Sequence, residues 1–516
     1  MADLGFWSFV HKEPRALALV TPDERRVSRG ELAAASNRLA RGLRAQGLQV
    51  GDAVAVVLEN GQPFLELYLA CFQIGLYLVP INNHLAGPEI AYIVENSEAK
   101  LFVTSQRFAH VAQAAVAEGA LPEERCFAVG AVPGFRPFQE LAEGQSDAPP
   151  PERTAGAVMN YTSGTTGRPK GVRRPLAGLD PDLVGGLLSS FQMLFGVKPE
   201  DGNVHITGSP LYHTAVLTFA AGALHLGHAL VLMDKWDAEE MLRLIDRYRV
   251  TTSHMVPTQF HRLLRLPEEV RAKYDCSSTR AMIHAAAPCP VDVKRRMLEW
   301  WGDSIWEYYA ATEGGGTLVS PAEWRSKPGT VGRPFPNAEI RILDDAGEEC
   351  PTGTPGTVYM LRGAADFEYY KDEEKTRKAR RGNYFTVGDV GYLDEDGFLF
   401  LCDRKSDMII SGGVNIYPAE IESVLLTHPE VADVAVFGIP HEDWGEEVKA
   451  VVEPTPGSEP DDRLRQEILA FCADRLARYK TPRSIDFVPQ MPRDPNGKLY
   501  KRKLRDPYWE GRERAI

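Results

Sequence analysis

Cysteine pairing is missing from this sequence. The seven cysteines (Cys71, Cys126, Cys276, Cys289, Cys350, Cys402 and Cys472) form no CxxC pair and are odd in number. Neither a disulfide framework nor a cysteine-rich zinc site is indicated, and a reducing cytoplasm is the default compartment. Excess positive charge is missing too. Lys and Arg total 58 against 71 Asp and Glu, a formal charge of −13, which argues against a broad nucleic-acid-binding face and leaves any phosphate site local. The opening MADLGFWSFVHKEPR lacks the basic start, apolar run and small-residue cleavage site of a secretory signal, so no export is expected. Two uncharged stretches, 67–87 and 203–233, are interrupted by Gln73, Pro80, Asn82 and Asn83 in the first and by Pro210, histidines and glycines in the second. They read as buried strands and helices, not as integral membrane spans of roughly 20 apolar residues. No internal repeat or low-complexity tract is evident.

What remains is an ordinary globular composition, 44% hydrophobic and 25% charged over 516 residues, long enough for about three folding units. The stretch VSRGELAAASNRLARGLRAQGLQVGDAVAVVLEN places Leu32, Ala35, Leu39 and Leu43 on one helix face, then a Gly-Asp turn, then a β-branched run. The same helix-then-strand alternation recurs in FLELYLACFQIG–LYLVPIN, EIAYIVENSEA–KLFVTS, AEEMLRLIDRYR–VTTSHMVP and VDVKRRMLEWWG–SIWEYYA. Repeated units of this kind predict an α/β fold with mainly parallel sheet. The Pro- and acid-rich 144–156 reads as a surface connection before a new structural unit. From about residue 325, short strands with DDAG and DEDG turns predict an antiparallel or barrel-like segment. From about 405, α/β character returns over a length sufficient for a separate small domain.

The strongest local signal is Tyr161-Thr-Ser-Gly-Thr-Thr-Gly-Arg-Pro-Lys170-Gly171. Glycines admit backbone N–H groups to phosphate oxygens, hydroxyls donate further hydrogen bonds and a lysine supplies a point charge. The spacing is not the Walker pattern. Taken alone, such a string is a Ser/Thr/Gly surface loop. It does not stand alone. Further segments are His284-Ala285-Ala286-Ala287-Pro288, Tyr308-Tyr309-Ala310-Ala311-Thr312-Glu313, Gly388-Asp389-Val390-Gly391-Tyr392 with Arg404 in CDRKSD, Ser411-Gly412-Gly413-Val414 continuing to Glu422, and Pro495-Asn-Gly-Lys498.

In order and content this set resembles the adenylate-forming superfamily of acyl-CoA synthetases, peptide-synthetase adenylation domains and firefly luciferases. The resemblance implies a large N-terminal domain, 1–403, of two α/β subdomains plus a distorted β-barrel. A small mobile α+β domain, 404–516, would follow a hinge near Ser406, where Asp or Lys is common in the family. It implies a nucleotide site of Thr162, Ser163, Gly164, Thr165, Thr166, Gly167 and Lys170, with Ala285, Ala286, Ala287, Pro288, Glu307, Tyr308, Tyr309, Ala310, Ala311 and Thr312 around adenine. Asp389 and Arg404 would hold the ribose hydroxyls, and Glu313 with Thr165 would hold Mg2+. Ala310 departs from the family's frequent glycine by one methyl group. Lys498 would act in adenylation only, after which rotation of the small domain would replace it with Gly412, Gly413 and Val414, the lining of a thiol tunnel.

The segment Pro210-Leu-Tyr-His213-Thr-Ala resembles the family's proline-aromatic-histidine element, whose histidine lines the acyl site. After it, Val216, Leu217, Phe219, Ala220 and Ala221 would form an apolar wall, with Gln192, Met193 and Phe195 as weaker candidates. Relatives that activate amino acids place an aspartate in this segment, and none stands here, so a hydrophobic carboxylic acid is the expected substrate. Coenzyme A would meet Lys480 and Arg483, with Trp444 or Tyr479 as stacking surfaces. The expected activity is acyl-CoA ligation with ATP, Mg2+ and coenzyme A. The sequence leaves three alternatives open: a carrier-protein pantetheine as acceptor, an enzyme working mainly in the thioester step, and a non-catalytic nucleotide-binding relative. The short stretch after Lys498 leaves no room for a carrier domain, so a free-standing enzyme is expected.

Overall fold

The computed structural model describes residues 4–162, 169–361, 367–493, 497 and 499–510. By contact density the chain forms two compact units, residues 1–255, 266–283 and 363–378 in one, and 256–265, 284–362 and 379–516 in the other.

The first unit carries a six-stranded parallel sheet ordered Arg136–Pro137, Cys126–Val129, Ala99–Ser105, Ala53–Val57, Tyr77–Pro80, Ala157–Val158. Ala53–Val57 is buried at every residue, the pattern of a central strand covered on both faces. The expected helix runs Arg29–Ala45, started by a Ser28–Glu31 capping box, with Leu32, Leu39 and Leu43 buried. Gly42 is required by a close approach, because a Cβ there would stand 1.5 Å from the Leu141 carbonyl oxygen. Strands Thr252–Met255, Val204–Thr207, Ala229–Leu232 and Leu17–Val20 build a second parallel layer, with Arg26–Ser28 antiparallel on its edge. The two uncharged stretches resolve into short elements: helix Gln62–Gln73 and strand Tyr77–Pro80 for the first, and strand, helix Thr214–His225 and strand for the second. Among the described residues no helix is long and apolar enough to cross a membrane.

The second unit holds the hairpin Ile305–Ala311 and Gly314–Val319, and a six-stranded antiparallel sheet over 340–404. Its tight turns have the expected chemistry. Asp344 Oδ1 accepts N–H bonds from Gly347 and Glu348 at 2.7 and 2.8 Å, and Asp394 Oδ1 accepts from Asp396 and Phe398 at 3.0 and 2.9 Å. Further on, strands Val414–Ile416, Ile409–Ser411, Gly445–Pro454, Val431–His441 and Ser484–Phe487 form one sheet. It packs with helices Pro418–Leu425 and Asp462–Ala473 around Ile409, Ile421, Val436, Ala450, Leu464 and Ile468. All seven cysteines are free.

Candidate active site

Antiparallel pairing of Asp389–Leu393 with Leu399–Arg404 sets Asp389 opposite Arg404, and the guanidinium Nε lies 3.5 Å from Asp389 Oδ1. The other carboxylate oxygen, Oδ2, accepts a 2.6 Å hydrogen bond from the hydroxyl of Tyr309. Burial and the nearby Asp389 carboxylate hold the Tyr309 phenol well above its ordinary pKa, so it stays a donor at neutral pH. Tyr309 and Arg404, from separate segments, thus meet at the buried carboxylate of Asp389.

Tyr309 sits near the end of a strand whose partner is forced into unusual backbone. Gly314, Gly315 and Gly316 all have positive φ. Ala310 pairs with Gly316, where a Cβ would fall 2.1 Å from the Tyr309 carbonyl oxygen and 2.9 Å from Ala310 Cβ. The methyl that Ala310 adds is thus accommodated by the glycine opposite it. Glu313 and Thr312 lie in the turn of this hairpin, and Glu313 is buried. Strand Ala281–His284 ends in the Ala285–Pro288 segment, where Ala286 adopts φ 72°, a left-handed conformation that a non-glycine residue holds at a cost.

Behind this surface lies a buried ion pair. Lys294 Nζ contacts Glu307 Oε2, His284 Nε2 lies 3.5 Å from the same oxygen, and Lys294 Nζ stands 4.9 Å from the Trp324 ring centroid. Lys294 and His284 are 0% exposed and Glu307 6%. Burial pushes the Glu307 carboxyl up and the Lys294 amine down in pKa, and the pairing opposes both shifts. Glu307, expected around adenine, is therefore committed to Lys294. The sequence reading missed Lys294, although a signal existed: it occupies the apolar stripe of helix Val291–Trp301, in step with Met297, Leu298 and Trp301, all buried.

In the first unit, strand Lys170–Arg173 pairs with Asn160–Thr162 and brings Lys170 opposite Thr162. Between them, Ser163, Gly164, Thr165, Thr166 and Gly167 lie outside the described residues. The Lys170 ammonium contacts the Asp372 carboxylate, a partner 202 positions away that no local pattern reveals. His213 is half-buried at the start of helix Thr214–His225, its ring against that of Tyr212. Val216, Leu217 and Ala220 belong to the large core of this unit, and Phe219 packs between the rings of His205 and His254. Gln192 is also buried, and its Nε2 donates to the Phe219 carbonyl at 2.8 Å.

In the second unit, Gly412 and Gly413, both with positive φ, form the two-residue turn between Ser411 and Val414. The Gly412 N–H donates to the Trp444 carbonyl at 2.9 Å. The Arg483 guanidinium lies 4.0 Å from the Trp444 ring centroid, so Gly412, Trp444 and Arg483 share one surface. Lys480 is paired with Glu420 at 2.7 Å. The Arg505 Nη1 donates to the Ser406 carbonyl at 3.5 Å. Lys498, Pro495 and Asn496 lie outside the described residues, but their flanks are tied. Arg493 makes a forked contact with Asp433 and donates to the Gly497 carbonyl at 2.6 Å, Tyr500 N–H donates to the Pro492 carbonyl at 2.8 Å, and Lys501 pairs with the half-buried Glu422 at 2.8 Å. Gly497, at φ 78°, lies so close to Thr258 that a Cβ would reach within 2.2 Å of its Oγ1.

The chain matches known protein families along most of its length. Residues 6–370 match the AMP-binding enzyme family and residues 420–498 match the AMP-binding enzyme C-terminal domain. The long-chain-fatty-acid–CoA ligase FadD13 of Mycobacterium tuberculosis is 34% identical over 504 residues, 96% of each chain. The fatty acid–[acyl-carrier-protein] ligase ScoC of Streptomyces coeruleorubidus is 32% identical over 488 residues, 93% of this chain and 91% of that protein. Among solved structures, the anthranilate CoA ligase AuaEII in complex with anthranoyl-AMP aligns with TM-score 0.85 at 25% identity, covering 98% of both chains. With matches spanning its length at these identities, the chain belongs to the AMP-binding enzyme family of the adenylate-forming superfamily.

Proposed function

We propose that this protein is an AMP-forming ligase that joins a hydrophobic carboxylic acid to coenzyme A. In the first step a carboxylate oxygen attacks the α-phosphorus of ATP and the bond to pyrophosphate breaks, giving acyl-AMP. In the second, the thiol sulfur of coenzyme A attacks the acyl carbon, the thiol proton leaves, and the bond to AMP breaks. The first step brings a carboxylate to a polyanion, so fixed positive charge and N–H dipoles must already be in place. Lys170, the phosphate loop and Lys498 are assigned that work, and Asp389, Tyr309 and Arg404 hold the ribose. A magnesium ion can be held by one carboxylate together with substrate phosphates. Glu313 is the carboxylate assigned to Mg2+, and the ion, when bound, neutralises oligophosphate charge.

The apolar helix Thr214–His225 supports a hydrophobic acid, and His213 at its start is placed beside the acyl carboxylate. In this reading the small domain after Ser406 alternates between presenting Lys498 and presenting Gly412 and Gly413. Free cysteines and the use of ATP and coenzyme A fit a cytoplasmic setting. A carrier-protein pantetheine as acceptor is the second reading, favoured by the ScoC likeness.

The observation that carries the proposal is the meeting of Tyr309, Asp389 and Arg404 at one carboxylate. Tyr309→Phe tests it. Loss of a hydroxyl donor to a charged acceptor should raise KM for ATP about tenfold with kcat within about twofold. With 3′-deoxy-ATP, which lacks one hydroxyl that Asp389 would accept, the variant and the wild type should differ by less than about threefold. An equal penalty with both nucleotides would remove Tyr309 and Asp389 from the ribose site.

A further inference from the structure

A cleft of about 170 Å³ opens in the second unit between helices Pro257–Leu264 and Val291–Trp301 on one side and the turn at 426–431 on the other. It shares no residue with the nucleotide, acyl or thiol positions described above. Its charged lining is His261, Arg265, Asp292, Arg296 and His428. Arg265 and Arg296 are both exposed at this cleft, and the Arg265 guanidinium makes no ion pair or side-chain hydrogen bond among the described residues.

The acids near Arg265 are already committed. Asp433 is held in a fork by Arg493, and Glu453 accepts the Met491 N–H at 2.6 Å. Asp292 is engaged by Arg295 and lies 3.9 Å from an Arg296 nitrogen, a loose pairing that leaves most of that guanidinium's donors unused. The two histidines are fixed from behind. His261 Nε2 donates to the Ala432 carbonyl at 3.2 Å, and His428 Nδ1 accepts the Glu430 N–H at 3.2 Å. The result is a small concavity with two exposed guanidinium groups against one carboxylate, Asp292, and two histidines held from behind, a lining with a net positive charge.

We propose that this cleft binds a phosphate-class dianion, held by Arg265 and Arg296. A tetrahedral oxyanion matches paired guanidinium forks better than a halide does, and the volume admits one such ion. The occupant would contact both helices and the turn that leads into strand Val431–His441.

Equilibrium dialysis of the full chain against labelled inorganic phosphate tests this, with a saturating non-hydrolysable ATP analogue and Mg2+ present so that the nucleotide and oligophosphate positions contribute no binding. One saturable phosphate per chain is expected. Arg265→Gln and Arg296→Gln should each weaken it about tenfold or more, the size of one lost charge-assisted contact, and Arg265→Lys should keep part of the affinity. Competition by glycerol 3-phosphate would extend the site to phosphomonoesters of larger molecules, and its absence would restrict the site to the free ion. Undiminished binding in both glutamine variants, or no saturable binding at millimolar phosphate, would overturn the proposal. Both arginines lie at the surface, so the variants are expected to unfold within a few degrees of wild type.

Discussion

Replacing Lys498 by alanine is expected to lower ATP–pyrophosphate exchange about 10²- to 10³-fold, the range measured when one preorganised charge donor is removed from a reaction centre. Thioester formation from synthetic acyl-AMP and coenzyme A should change by less than about threefold. The asymmetry follows from the role assigned to the lysine, which bridges substrate carboxylate and nucleotide oxygens only while both anions are being brought together. The surrounding chain is suited to holding such a group. Arg493 ties Asp433 to the Gly497 carbonyl, Gly497 packs on Thr258, and Lys501 is anchored on Glu422. Equal loss in both half-reactions would assign Lys498 to general nucleotide binding. No loss in either would remove it from the site.

The second large effect concerns stability. Lys294→Ala leaves Glu307 buried without its partner and should cost about 3–5 kcal/mol. The cost depends on pH in a definite direction. Burial raises the Glu307 carboxyl pKa in the folded state, and Lys294→Ala removes the charge and the hydrogen bond that oppose that rise. The folded variant therefore keeps a proton that the unfolded chain releases above about pH 4.3. Its stability is fullest below that pH and falls as pH rises toward the elevated folded value, so the gap to wild type should widen from pH 5 to pH 8. Lys294→Met combined with Glu307→Met removes both charges at similar volume and should recover most of the loss. Denaturant melts of the three variants at the two pH values measure this. A single-variant loss below about 1 kcal/mol, or a gap that narrows as pH rises, would contradict the buried-pair account.

The parts of this protein legible in its sequence are those encoded within a few residues. The Ser28–Glu31 capping box, the Asp344 and Asp394 turns and the paired glycines at 412 and 413 each carry their own geometry. The motif around Tyr309 and the pair Asp389 and Arg404 were legible as strings, and their roles came from family resemblance. Their meeting was not legible, because the Tyr309–Asp389 bond joins side chains 80 positions apart on strands of two different sheets, a juxtaposition that no local pattern specifies. Lys170 pairing with Asp372 was hidden in the same way. Lys294 was hidden differently: a lysine on an amphipathic helix ordinarily snorkels to solvent, and only a carboxylate on the neighbouring strand turns it inward. The segment after His213 reads as an apolar wall; it forms a helix, with Val216, Leu217 and Ala220 packed in the core of the first unit, and composition alone does not say which of its residues a ligand would meet.

The central claim is that one chain performs acid activation and thioester formation. It is tested most directly by ATP–pyrophosphate exchange across fatty, aromatic and polycyclic acids, followed by identification of the product after coenzyme A is added. The account predicts exchange with at least one hydrophobic class, at a kcat/KM at least about a hundredfold above that for amino acids. It also predicts one acyl-CoA formed per AMP released. Exchange without a coenzyme A thioester would point to a carrier-protein acceptor, and silence in both assays across the panel would contradict the ligase account.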